Sequence, residues 1–403
     1  MPPTTRPAPH IGRHRATLRL RAFLPWSQRK VVFNYGLGWD STAILLRWLF
    51  EPESRDFELS QLIVITAQVG EEFEQSKHLV ETYIYPLLAF LHIRTVQIAR
   101  RSASDRDGIV VLSDTRHPTT CHVAGAHRLG DMLMADGTAP QYAHGRHFCA
   151  QRFKGWPIGQ WLSQEFGRTP YRSIIGYNAD ELRRAAKAAD YADIQRAHEF
   201  PLIAWGWGRI EVESYIRQVV GVEWEKSCCG FCPFAGGRAD LVRRYRQEPA
   251  QALRALRMEH LSLSLNPRFG LFASGVPLRT TVEAAGLTTI LARFDAELAF
   301  TPWALYHVRR IYREVAPLVD RSVVTLATGA RAAMLTHLAT LGEVEVEGGI
   351  NRVYLRHHTP GLRPSLEEFF VAAPTTIADK EKKCFTAMWR ARTSGVRQIL
   401  LTF

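Results

Sequence analysis

The sequence predicts an α/β fold: a doubly wound parallel sheet followed by a mostly helical C-terminal region. Three observations carry this. Short apolar runs alternate with helical patterns through the first half of the chain, which is the signature of a parallel sheet with helices on both faces. The first such run, Val31-Val32-Phe33-Asn34-Tyr35, turns directly into an amphipathic helix through Gly36-Leu37-Gly38. Beyond residue 235 the periodicity becomes mostly helical.

The strand-like runs lie at Lys30–Tyr35, Gln61–Ala67, Ile93–Ala99 and Tyr171–Ile175. Between them the pattern predicts helices over Ser41–Phe50, Glu74–Leu91 and Pro157–Phe166, and one opening at Asn178 or Asp180 to cover Glu181–Ala188. Residues 102–148, rich in His, Gly, Asp and Thr, interrupt the alternation and read as loops over a site. A short helix is expected near Arg209–Val220, and further helices over Asp240–His260 and Pro302–Val315. The organisation is thus a basic arm (1–29), a sheet domain ending in a cysteine cluster (30–235) and a helical region (236–403).

The bulk numbers bound the function. A chain of 403 residues, 46% hydrophobic with ten tryptophans, has the means to build a substantial core. No apolar run approaches the roughly 18 residues of a membrane span. No secretory apolar segment stands in the first thirty residues. Six cysteines in so long a chain fit a reducing cytoplasm better than a secreted disulfide scaffold. The net charge of +12 is uneven: Arg6, Arg13, Arg15, Arg19, Arg21 and Arg29 precede the first strand with no acid among them. Such an arm is a solvated tail or a contact for nucleic-acid phosphates.

In open parallel sheets, ligands collect at the carboxyl ends of the strands, where the Gly36–Gly38 turn falls. A Walker-type loop would carry a lysine, and this one does not. What it offers is backbone amides and a helix start, both suited to an anion, with Ser41 and Thr42 as hydroxyl donors. Asp40 reads as a helix cap or as a ligand for Mg²⁺.

The segment Gly36-Leu37-Gly38-Trp39-Asp40-Ser41 resembles the PP-loop of ATP pyrophosphatases, usually written SGGxDS, with Gly36 for the serine and Leu37 for one of the two glycines. Four further segments resemble the phosphoadenosine-phosphosulfate-reductase-like branch of that family. Ala67-Gln68-Val69-Gly70-Glu71-Glu72 with Ser76 is similar to ADTGxE…T. Cys149-Ala150-Gln151-Arg152-Phe153-Lys154-Gly155-Trp156-Pro157 is similar to C-x-x-R-x-K-x-x-P. Ile175-Gly176-Tyr177-Asn178-Ala179-Asp180-Glu181 with Arg184 is similar to IGIxxxExxR. Phe200-Pro201-Leu202-Ile203, Trp205 and Lys226-Ser227-Cys228-Cys229-Gly230-Phe231-Cys232-Pro233-Phe234 are similar to YPLIxW…KSxCxxCPF.

The resemblance implies an adenine nucleotide alpha hydrolase-like fold and an enzyme that splits ATP into AMP and pyrophosphate with Mg²⁺. Gly36, Leu37, Gly38, Ser41, Thr42, Gly70, Glu72, Arg152, Gly176 and Glu181 would bind the nucleotide, and Asp40, Ser41, Lys154 and Arg184 would act in catalysis. Cys149, Cys228, Cys229 and Cys232 would hold an iron–sulfur cluster or zinc. The family's iron–sulfur reductases have a CC pair before the R-x-K segment, and Phe148 takes the first position of that pair, so a fourth ligand would come from Cys228, Cys121, His122 or His147. The plainer alternatives are buried reduced thiols or a redox-active C-x-x-C. The family's reductases use a C-terminal ECGxH-like segment that is not present here, which favours adenylation over reduction. The expected acceptor is a nucleic acid or a small molecule receiving sulfur; the alternatives are a sulfonucleotide reductase-like enzyme and a nucleotide-binding module without turnover.

Overall fold

The computed structural model describes residues 25–140, 142–143, 146–189, 195–234, 237–272, 275–314 and 319–400. Most of the expected basic arm, residues 1–24, lies outside the described residues. The first half is α/β, built on a six-stranded, predominantly parallel sheet. Its strands are β1 (Val31–Asn34), β2 (Leu62–Gln68), β3 (Arg94–Arg100), β4 (Ile109–Thr115), β5 (Tyr171–Ile175) and β6 (Arg196–Glu199). Their spatial order is β4-β3-β2-β1-β5-β6. Every pairing is parallel except β3 with β4, which is antiparallel.

This order contains a reversal. The chain moves outward from β1 through β2, β3 and β4, then returns to place β5 on the other side of β1. The loops leaving β1 and β5 therefore diverge from neighbouring strand ends, the crevice where open α/β sheets bind ligands.

Helices α1 (Trp39–Phe50), α2 (Glu74–Leu79), α3 (Tyr85–Phe90), α4 (Leu129–Ala135), α5 (Trp156–Phe166), α6 (Leu182–Ala189) and α7 (Arg209–Val220) belong to this half. Alternate strand residues bury on opposite faces. Val31, Phe33, Leu62 and Val64 share a core with Leu45 and Trp48 of α1, Leu88 of α3 and Ile216 of α7. Val32, Ile63, Ile65, Val96 and Ile98 pack with Trp161 and Leu162 of α5. Burial on both faces is why these strands read as continuous apolar runs. The single helix expected over Glu74–Leu91 is broken by a π turn at Val80–Ile84, just before Pro86, whose missing N–H cannot continue the α ladder. The stretch 102–148, expected as loops, contains β4 and α4.

The C-terminal region is not mostly helical, and that expectation is corrected. After helices α8 (Arg238–Gln247), α9 (Pro249–Leu265), α10 (Leu278–Ala284) and α11 (Thr288–Phe300) come five strands: β7 (Trp303–Tyr312), β8 (Val319–Gly329), β9 (Glu345–Glu347), β10 (Ile350–Arg356) and β11 (Ser365–Pro374). They form an antiparallel sheet in the order β8-β7-β11-β10-β9. Helix α12 (Arg331–Ala339) follows β8, and α13 (Phe385–Leu400) follows β11. The expected helix Pro302–Val315 is the central strand β7. Nearly all of β7 is buried, so its apolar residues show no alternation, and periodicity cannot separate such a strand from a buried helix.

One hydrophobic core runs across the expected boundary at residue 236. It joins Val69, Phe73, Leu129, Phe153 and Phe231 to Leu241, Tyr245, Leu256 and Leu265 of α8 and α9, and to Val308 and Phe369 of the second sheet. Among the described residues no helix is long and apolar enough to cross a membrane.

Candidate functional site

The turn from β1 to α1 passes through an unusual backbone position. Leu37 has φ of +64°, in the left-handed region that costs a non-glycine residue about 1 kcal/mol or more. This is where the PP-loop pattern has a glycine. Leu37 is held there by burial of its side chain and by the Trp224 indole, which donates to its carbonyl at 2.9 Å. Ser41 braces the turn from inside: its Oγ accepts from the Gly36 N–H (3.2 Å) and donates to the Gly38 carbonyl (3.1 Å). Gly38 is the N-cap of α1, and no side chain caps this end. The positive end of the helix dipole thus faces the crevice without a side-chain cap.

Thr42, expected at the nucleotide, is instead fully buried, its hydroxyl 3.1 Å from that of Tyr35. Its position on α1 faces the sheet, so the hydroxyl cannot reach an anion at the loop.

Asp40 does not cap its own helix. Its Oδ1 accepts a 3.0 Å hydrogen bond from Asn178 Nδ2, and Asn178 Oδ1 in turn accepts from the Asp180 N–H (3.0 Å), capping the turn that leads into α6. Burial pushes the Asp40 carboxyl up to about 6, with the Asn178 bond opposing and the Glu181 charge adding. Gly176, at the end of β5, makes this meeting sterically feasible. A Cβ there would lie 3.3 Å from the Ser41 nitrogen and 3.4 Å from its Cα. Glu181 and Arg184, expected at the nucleotide and in catalysis, form an ion pair with each other, and the Arg184 guanidinium lies 4.5 Å from the Tyr177 ring centroid. The structure therefore brings together Gly36, Leu37, Gly38, Asp40, Ser41, Gly176, Glu181 and Arg184.

The segment after β2 has a different task. Gly70 has φ of +86°, and its Cα approaches the Arg128 side chain so closely that a Cβ would clash at 2.6 Å. Glu72, expected at the nucleotide, is buried and spends its carboxylate on protein partners. It accepts from Ser76 Oγ (2.9 Å), Ser227 Oγ (2.7 Å) and the Cys228 N–H (2.9 Å). Ser227 lies against Gly38, where a Cβ would come within 3.3 Å of its Cβ and nitrogen. Glu72 thus ties the cysteine turn to the glycine loop. Its neighbour Glu71 accepts from Arg254 of α9 (2.7 Å) and from the Gly130 N–H (2.8 Å). Gly230 N–H donates to the Glu71 carbonyl at 2.9 Å.

Cys229 and Cys232 stand on one turn, closed by a 2.9 Å bond from the Cys232 N–H to the Cys229 carbonyl. Burial raises the thiols of Cys149, Cys229 and Cys232; the Cys149 charge raises that of Cys232 further, while the Lys154 ammonium opposes all three shifts. Cys149, Cys229 and Cys232 all pack against the same hydrophobic core. Cys228 points elsewhere: Arg244 Nη1 donates to its Sγ at 3.1 Å, and burial pushes its thiol up to about 12. Cys121 accepts from Gln68 Nε2 at 3.6 Å, with Tyr85 beside it. The donor set of three neighbouring thiols suits a thiophilic metal. Among the described residues, no group of three or more His, Cys, Asp or Glu is already arranged to hold an ion. Arg152, expected at a phosphate, donates from Nη2 to the Ala103 carbonyl (2.9 Å) and covers the Phe148 ring.

The chain matches no protein-family model and no curated protein sequence. The geometry of its own residues is thus what bears on function.

Four residues shape this site that sequence reasoning did not single out: Asn178 as the partner of Asp40, Ser227 as the partner of Glu72, Trp224 as the clamp on Leu37, and Arg244 beside Cys228. Only Arg244 left a usable signal, a lone charge among Leu241, Val242 and Tyr245 on the buried stripe of α8. The others depend on contacts between segments far apart in the chain.

Proposed function

We propose that the protein is an ATP-dependent adenylating enzyme of the PP-loop kind, with a doubly wound nucleotide-binding sheet. The observation that carries this reading is the uncapped start of α1 at the reversal between β1 and β5, with the Asp40 carboxylate held beside it by Asn178. An acceptor oxygen attacks the α-phosphorus of ATP, the α–β bridging bond breaks, and pyrophosphate leaves with the electron pair. The loop amides and the α1 dipole stabilise the charge on the departing group, and an ionised Asp40 orients the accompanying cation. Mg²⁺, when bound, supplies further neutralisation of that charge. Arg184 and Lys154, on opposite flanks, hold anionic parts of nucleotide or acceptor.

Cys149, Cys229 and Cys232 are assigned in this reading to an iron–sulfur cluster or zinc, and the compartment to a reducing cytoplasm. Nucleic acid is the proposed acceptor: a sulfide-level sulfur nucleophile attacks the adenylated position, and AMP leaves with the former acceptor oxygen and the electron pair of the broken bond.

A second reading, a nucleotide-binding module without turnover, is favoured by two features of the loop. Leu37 occupies a glycine position, and the Ser41 hydroxyl is already committed within the turn. Incubation with ATP, Mg²⁺ and candidate acceptors separates the two. Release of pyrophosphate and AMP that is lost in Ser41→Ala with Asp40→Ala is the expected result, and unchanged release in that variant overturns the loop assignment. Tight nucleotide binding with no product supports the module; sulfite from a sulfonucleotide supports a reductase.

A further inference from the structure

Around the mouth of this crevice, aromatic rings and cations alternate. Phe148 and Phe234 are large apolar side chains left 41% and 42% exposed. The Arg152 guanidinium lies 5.6 Å from the Phe148 ring centroid. His147, next in the chain to Phe148, packs edge-on against Phe234 with centroids 4.3 Å apart. Lys226 Nζ lies 3.4 Å from the Phe234 carbonyl. On the other flank Tyr177 and Phe200 stack nearly parallel, at 11° and 5.8 Å, with Arg184 on Tyr177. Lys226 precedes Ser227, which lies against Gly38, and Tyr177 follows Gly176, which lies against Ser41, so both flanks border the glycine loop.

His147 adjoins Phe148 in the chain and packs on Phe234, so the two exposed rings belong to one surface patch, and such patches mark binding surfaces. Rings interleaved with cations suit a ligand that has flat apolar faces and a phosphate backbone. The charge distribution agrees. Residues 236–403 carry 23 Lys and Arg against 15 Asp and Glu, and residues 1–29 carry six Arg and no acid. In a duplex the base faces are covered by stacking, so rings at a crevice mouth engage unpaired bases.

We propose that this aromatic–cationic rim is a stacking platform for single-stranded nucleic acid, delivering one nucleotide of the strand to the loop at Gly36–Gly38. Adenylation of the delivered nucleotide rests on the proposed function; strand binding at the rim does not.

The test uses the full chain and fluorescence anisotropy with a labelled single strand of about 20 nucleotides, long enough to span such a groove, and the same sequence as a duplex. Wild type is expected to bind the single strand more tightly than the duplex, with affinity falling as salt rises. The Phe148→Ala, Phe234→Ala double variant is expected to lose roughly tenfold or more, the usual scale for losing a base–aromatic stack. Phe300→Ala, at a phenylalanine 90% exposed on α11, is expected to change nothing. Phe148→Leu with Phe234→Leu keeps apolar volume and must weaken binding as well, which separates stacking from folding. Equal affinity for duplex and single strand, no binding of either, or single-strand binding by the double variants within twofold of wild type would each overturn the platform. Pyrophosphate release measured on the same samples distinguishes the two readings. Release without strand binding removes the platform alone, and strand binding without release removes adenylation alone.

Discussion

The Ser227 hydroxyl donates a 2.7 Å hydrogen bond to the buried Glu72 carboxylate, while Ser227 itself lies against Gly38 of the glycine loop. Residues 155 positions apart thereby fix the cysteine turn and the loop relative to each other. Because Glu72 also accepts from the Cys228 N–H and Ser76, Glu72→Gln places an amide N–H₂ among three donors. The expected cost is about 1–3 kcal/mol in chemical denaturation, the range for a buried group left unsatisfied. A variant as stable as wild type would show that this carboxylate does not organise the site.

Leu37→Gly tests which of two opposed effects wins. Glycine relieves the positive φ, worth about 1–2 kcal/mol. It also deletes a side chain only 3% exposed, and losses of that kind cost about 2–5 kcal/mol. Burial outweighs strain, so urea denaturation should show net destabilisation by about 1–3 kcal/mol. A stabilised Leu37→Gly would mean that strain dominates.

Arg254 neutralises Glu71, whose side chain is wholly inaccessible to solvent. Arg254→Met leaves that carboxylate without its cation, and removing one partner of a buried pair costs about 3–5 kcal/mol. Replacing both, as Glu71→Gln with Arg254→Met, should recover much of the loss. Denaturation of the two variants side by side checks this, and equal losses would contradict it.

Asp40 makes the site pH-sensitive. Its folded-state carboxyl, pushed up to about 6, binds a proton more tightly than the unfolded chain does near 4. Its contribution to stability is therefore present at acid pH and is lost as pH rises between about 4 and about 6. Asp40→Asn should match wild type near pH 4 and exceed it by about 1–2 kcal/mol at pH 8, the full shift being reduced because the group is not wholly buried. If the protein adenylates as proposed, pyrophosphate release by wild type should rise through about pH 6, because the ionised form is the one that would orient the cation. Pyrophosphate release that is flat from pH 5 to 8 would remove that role from Asp40.

For the cysteines, iron and zinc analysis of protein purified without oxygen should find bound metal that disappears in Cys229→Ser with Cys232→Ser. Cys228→Ser should retain it, because that thiol faces Arg244. A fully active metal-free preparation would end the assignment.

Local chemistry determined a good part of this protein from sequence alone. The four strand runs and the helix after Gly38 depend on periodicity and turn residues, which neighbouring residues supply. Pro157, read as the first turn of a helix, instead lies inside a helical run that begins at Phe148. What local pattern could not supply was decided by packing. β7 is buried almost end to end, so its period is hidden, and the second sheet went unseen behind it. Thr42 and Glu72 stand in the segments that build the site but point into the protein, because a side chain's direction depends on which element packs over it. Asp40 meets Asn178 across 138 residues, and only the return of β5 beside β1 brings them within 3.0 Å.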